Sequence, residues 1–295
     1  MRLSSNYFSQ LLLLLGCMLL GTGVFTLLGA LAAPLFGFSF DDVLYGNTAQ
    51  NVDMMYYLLI VQNVGMFLLP VFVTLRLMRL QPASYLGFSK GTSLVVVGYV
   101  VLLSLVIQPL CSFSAMLNGQ LQMPEWVVQM ENSATALTEQ LLLTPYWEYL
   151  LLNILVVAAI PAFVEELFFR GFLQSLLQRW IKKPHLAIVL TAFVFSAFHL
   201  QFLSFLPRFI LGALLGYLFY WSGSLWLPIV SHFVNNLLGV CAYFYIAHKG
   251  IPFNIEEVDA ALQGNGYAVA LSVIVSGWLV LRIKNIVSKK SEPIE

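Results

Sequence analysis

The chain alternates long apolar runs with short polar breaks. Runs of membrane-crossing length fall at about 10–36, 54–77, 94–117, 147–180, 186–206, 208–222, 225–247 and 267–284, since a hydrocarbon core of about 30 Å takes about 20 helical residues. The pattern predicts an all-α fold, a polytopic transmembrane helical bundle of about eight spans. Between the fifth and sixth runs, Leu206-Pro207-Arg208 leaves little room for a loop. The run 147–180 is too long for one crossing, about 50 Å as a helix. Its tail QSLLQRWIKK is amphipathic and is expected to project from the membrane, with Pro161 kinking the helix. Residues 118–146 interleave apolar and polar positions and predict an amphipathic helix along the interface. No internal repeat or linker stands out. The chain divides into helices and an amphipathic segment at 1–144, a core at 145–247, and a last helix with its tail at 248–295.

Composition agrees with this pattern. Hydrophobic residues make up 60% of the chain and charged residues 9%, a balance that soluble domains do not show. A net charge of +0 leaves no basic face for nucleic acid, so the expected partners are membrane lipid and membrane-associated polypeptide. The first apolar run continues for about 25 residues, beyond a signal peptide's core of about 7–15, and is expected to be a retained span. Arg76, Arg79, Lys90, Arg170, Arg179, Lys182, Lys183, Arg282, Lys284, Lys289, Lys290 and Arg2 fall in segments on one side, leaving Arg208 and Lys249. Asp41, Asp42, Asp53, Glu125, Glu131, Glu139, Glu256, Glu257 and Asp259 fall on the other. The positive-inside rule therefore predicts an integral multi-pass protein with both termini cytoplasmic. Cys17, Cys111 and Cys241 lie in separate apolar runs without metal-site spacing and are expected to be buried small hydrophobes.

The candidate chemistry centres on PAFVEELFFRG, residues 161–171. Ionisable groups at membrane depth are costly and mark function. Glu166 and Arg170 are four apart and share a helix face, as an ion pair requires. Glu165 points about 100° away, free for chemistry. From Glu165 to the Lys182-Lys183 turn is about 25 Å of helix, and from that turn to His199 about 24 Å. A hairpin thus brings His199 to the depth of Glu165. In SHFVNN, His232 and Asn236 share a face, with Asn235 about 100° away as the fallback. A carboxylate beside a histidine can activate water, and a second histidine with an amide can stabilise an oxyanion. Glu165, His199 and His232 are also donors that suit zinc. Spacing leaves metal-bound and metal-free hydrolysis both open. Arg208 lies near this set, and Phe195 reads as packing.

The order EExxxR (Glu165, Glu166, Arg170), FxxxH (Phe195, His199) and HxxxN (His232, Asn236) resembles the CPBP family of intramembrane proteases. That family includes type II CAAX prenyl endopeptidases and bacterial Abi-like proteins, and it is often described as metalloprotease. The resemblance covers roughly 145–245. It implies an endopeptidase acting on a membrane-associated polypeptide, which is a prenylated CAAX segment in the eukaryotic members and of open class in bacterial ones, here in a bacterial cell (inner) membrane. It implies Glu165 as general base helped by His199, His232 and Asn236 as oxyanion groups, and Glu166 with Arg170 as supports. Two other classes bury similar groups. One is an inactive relative serving as a bacteriocin-immunity or scaffold protein. The other is a proton-coupled transporter, which more often shows inverted repeats. The number of copies in an assembly has no signal in the sequence.

Overall fold

A computed structural model describes residues 6–45, 51–251 and 266–289. Arg2, Lys290, Glu256, Glu257 and Asp259, used in the orientation argument, lie outside the described residues. Among the described residues, seven helices are long and apolar enough to cross a membrane. They are α1 (Tyr7–Phe36), α2 (Val52–Leu77), α3 (Leu94–Gly119), α5 (Trp147–Ile181), α7 (Phe202–Ser222), α8 (Trp226–Lys249) and α9 (Gly266–Ser288). Between α3 and α5 lies the amphipathic α4 (Glu125–Leu142). The expected fifth span is shorter than its apolar run: α6 (Pro184–Phe198) has 15 residues. It is about 22 Å long and falls short of a full crossing. Leu186, Val189, Leu190 and Phe193 on α6 remain exposed at i, i+3, i+4 and i+7, the stripe of a helix facing lipid.

The packing is built around α5. Leu14 of α1, Val71 and Leu75 of α2, and Phe195 of α6 join Phe168, Phe169 and Phe172 of α5 in one buried cluster. A second cluster joins α3, α7, α8 and α9 through Val100, Leu103, Leu218, Leu227 and Leu279. α6 runs antiparallel to α7. Ala192 meets Gly212 at one level, and Ile188 meets Gly216 one turn further on. A Cβ on Gly216 would stand 2.8 Å from both Ile188 and the Gln174 side chain. The missing side chains at Gly212 and Gly216 let three helices meet at backbone distance. Arg170 Nη2 donates to Gly212 O at 3.0 Å and Gln174 Nε2 to Gly216 O at 2.9 Å.

The kink expected at Pro161 is absent, and Pro70 behaves in the same way. A proline ring clashes with the carbonyl four residues back. Ahead of Pro161 the helix widens into a π segment, Ile154–Ala159, in which Ile160 N–H reaches back to Leu155 O. Ahead of Pro70, Val64–Leu68 does the same, with Leu69 N–H on Val64 O. The widened turn accommodates each ring and α5 continues to Ile181. A further π segment, Leu167–Gln174, follows the two glutamates directly. It is buried along its whole length and includes Arg170.

Charge is sorted along the bundle. Arg179 bonds and stacks on Tyr85, Lys90 O accepts from Ser224, and Lys284 lies over the Trp221 ring, tying basic residues of several segments into one end. At the other end Trp147 packs on Phe244 and His248. One cysteine expectation fails: Cys111 is buried, but Cys17 is half-buried and Cys241 is exposed on α8.

Candidate active site

Glu166 and Arg170 form the expected pair, Nη1 to Oε1 at 2.5 Å, with both side chains fully buried. The same Oε1 also accepts from His232 Nδ1 at 2.8 Å. Glu166 therefore supports more than its own helix: it fixes a ring on α8. A carboxylate on Nδ1 sets the neutral His232 tautomer, with the proton on Nδ1 and a lone pair on Nε2. That Nε2 faces Glu165 Oε2 at 3.9 Å. Glu165 Oε2 is buried and bonds to no group among the described residues. The two glutamates do diverge, as helix geometry requires, and they meet opposite nitrogens of one imidazole.

His199 closes α6. Its Nδ1 donates to Phe195 O at 2.9 Å, so its Nε2 also carries a lone pair. Phe195 does more than pack. Its ring lies under the Arg170 guanidinium at 4.4 Å and meets the rings of His199 at 5.0 Å and His232 at 5.7 Å. It holds both histidines and the arginine against one platform. The FxxxH spacing was the available signal, because i, i+4 places a phenylalanine carbonyl under the histidine.

His199, His232, Asn236, Arg208, Ser231 and Asn235 share the lining of a cavity of about 80 Å³, room for a few waters. α3 braces one side of it. Ser104 Oγ and Ser231 Oγ share a hydrogen bond of 2.8 Å, and Gln108 Nε2 donates to Asn235 Oδ1 at 3.1 Å. Asn235 Oδ1 is thereby engaged in helix packing, and the amides of Asn235 and Asn236 both line the cavity. Arg208 does not snorkel. It lines the cavity and donates to the carbonyls of Gln201 and Ser204 and to the Gln201 side chain.

The apex after His199 is held from the first half of the chain. Leu200 sits in the left-handed region, φ 54°, which costs a side-chain-bearing residue about 1–2 kcal/mol. Two straps hold it. Glu131 of α4 accepts from Leu203 N–H at 3.1 Å and Ser204 Oγ–H at 2.7 Å. Asn118 of α3 donates to Phe202 O at 2.9 Å and accepts from Leu206 N–H at 2.6 Å. Sequence spacing gave no hint of Glu131 or Asn118, because their partners lie more than 70 residues away. Glu131→Ala is expected to cost about 1–3 kcal/mol by orphaning two donors. It should also lower turnover by loosening His199, measured as thermal midpoint and kcat together. Beyond His199 a wider groove of about 530 Å³ runs along α4, past Trp126, Met130, Ser133 and Leu137. His199 stands between this groove and the inner cavity.

The expected zinc site finds no ready-made donor set. Among the described residues no three of His, Cys, Asp and Glu are gathered as a metal-holding group. Each histidine gives Nδ1 to a protein acceptor, which leaves both Nε2 lone pairs available to water or to a metal ion.

Residues 147–238 match the family described as type II CAAX prenyl endopeptidase Rce1-like. The chain is 30% identical over 93 residues to "Uncharacterized protein YpbD" of Bacillus subtilis (strain 168), a stretch of 30% of this chain and 44% of that relative. It thus spans less than half the length of this relative. No solved structure matches. The matched segment begins at the start of α5 and ends two residues past Asn236, so that it contains both glutamates, both histidines and the asparagine. That segment is thus similar to the Rce1-like type II CAAX prenyl endopeptidases.

Proposed function

We propose that the protein is an intramembrane endopeptidase that hydrolyses a peptide bond of a membrane-associated polypeptide, with a prenylated CAAX-type terminus as the first substrate to try. The observation that carries this reading is the buried Glu165 Oε2, without a hydrogen bond among the described residues and 3.9 Å from Nε2 of His232, which lines the inner cavity. Water held by Glu165 and by the His199 Nε2 lone pair would lose a proton to Glu165 as it attacks the carbonyl carbon. The resulting oxyanion would take hydrogen bonds from Asn236 Nδ2 and His232 Nε2. For Nε2 to donate, His232 must carry both ring protons, a charge that Glu165 and Glu166 flank on its two sides. Collapse of the intermediate breaks the C–N bond, and the proton on Glu165 passes to the leaving amine.

The route to test first is hydrolysis by Glu165 without a metal ion. Cleavage of lipidated and unlipidated peptides by protein purified without a metal-affinity step is expected to persist in chelator, with bound zinc well below one per chain. Stoichiometric zinc, lost together with activity in His199→Ala, would overturn the metal-free route. Protein that is folded yet cleaves no peptide of either kind would favour the scaffold class.

A further inference from the structure

A cleft of about 750 Å³ lies away from the site, where α2 ends, lined by Phe72, Val73, Leu77 and Leu80 together with Arg76 and Arg79. Phe72 and Leu77 are 40% and 53% exposed, so the apolar wall faces outward from the bundle. Neither arginine forms an ion pair among the described residues, and no carboxylate lines the cleft. The chain reversal here puts both charges at one end. Leu80 N–H bonds to Leu75 O and Arg79 N–H to Arg76 O, closing the helix in a Schellman turn. Arg79 holds its left-handed position, φ 57°, where glycine is usual. The turn thus carries a second cation one step beyond Arg76, next to an apolar channel.

We propose that this cleft binds an anionic glycerophospholipid, its phosphate between Arg76 and Arg79 and an acyl chain along Phe72, Val73 and Leu77. The occupant follows from complementarity. Two uncompensated cations ask for an anion, and the adjoining wall asks for hydrocarbon. The position suits a lipid as well, at the basic end of a membrane-spanning helix. Nothing in this inference depends on the catalytic reading.

The test is native mass spectrometry of the full chain in detergent, titrated with phosphatidylglycerol or phosphatidylcholine of identical acyl chains. Wild type is expected to bind phosphatidylglycerol about tenfold or more tightly, since each basic residue near a membrane surface contributes roughly a further factor of five toward anionic lipid. Arg76→Gln with Arg79→Gln should erase the preference without moving the thermal midpoint, because both side chains are exposed. Leu77→Trp keeps both charges, fills the channel, and should weaken both lipids. Three results would overturn the proposal. They are equal binding of the two lipids by wild type, an unchanged preference in the double variant, and displacement of the lipid by glycerol 3-phosphate at equal concentration. The last would mark a simple anion site.

Discussion

Glu165→Gln is expected to abolish peptide hydrolysis, by at least about 10²–10⁴-fold, and to leave the bundle folded. The substitution keeps the side chain's shape and removes only its ability to take a proton from water. Glu165 Oε2 makes no hydrogen bond among the described residues, so no structural partner is lost. Stability should therefore stay level, and thermal unfolding in detergent checks this. Glu165→Asp is a useful companion. It keeps the carboxylate but withdraws it by one methylene, and it should retain a small part of the activity. A variant that cleaves as fast as wild type would remove Glu165 from the chemistry. One that fails to fold would make it structural.

Arg170→Met is expected to cost about 3–5 kcal/mol, the largest stability loss of any single substitution near the site. Arg170 is fully buried beside Glu166. Removing the cation leaves an uncompensated carboxylate in a dry interior, and that orphaned charge is the main penalty. The change also takes away the donor to Gly212 O and the cation over Phe195. Adding Glu166→Gln to Arg170→Met should recover a large part of the loss, because a neutral pair tolerates burial. Activity should not recover with it. The amide at position 166 would no longer offer a carboxylate to His232 Nδ1, so the ring nitrogen facing Glu165 would lose its orientation. Stability and turnover separating in this double variant is a readout that an ion pair of purely structural importance would not produce. Thermal unfolding and kcat on the two singles and the double measure it.

Much of the site was legible because helix arithmetic is local. The Glu166–Arg170 pair follows from i, i+4 spacing. The return of His199 to the Phe195 ring, which also meets Arg170 and His232, agrees with the residue count either side of the Lys182-Lys183 turn. The end of α6 at Phe198 was not legible, because the apolar run 186–206 continues past it. What spacing cannot supply is lateral placement. Nothing in PAFVEELFFRG or SHFVNN says that one imidazole will stand between two carboxylates, because that depends on how α8 lies against α5. The π segments were also hidden. Pro70 and Pro161 signal a disturbed helix, but whether it kinks or widens is decided by the packing around it. Leu167–Gln174 has no proline to signal it. The first 144 residues carried no motif, yet Asn118 and Glu131 hold the apex next to His199 and Gln108 engages Asn235. Side chains of this kind are ordinary in sequence and acquire their role from partners far along the chain.

The most direct measurement of the central claim is hydrolysis in H₂¹⁸O. Full-length protein in nanodiscs is incubated with a prenylated and an unprenylated peptide, and the fragments are weighed by mass spectrometry. The account predicts cleavage by wild type with one ¹⁸O in the newly formed carboxylate, no labelled fragment from Glu165→Gln, and the same labelled fragment in the presence of chelator. Labelled product from Glu165→Gln at the wild-type rate would contradict it.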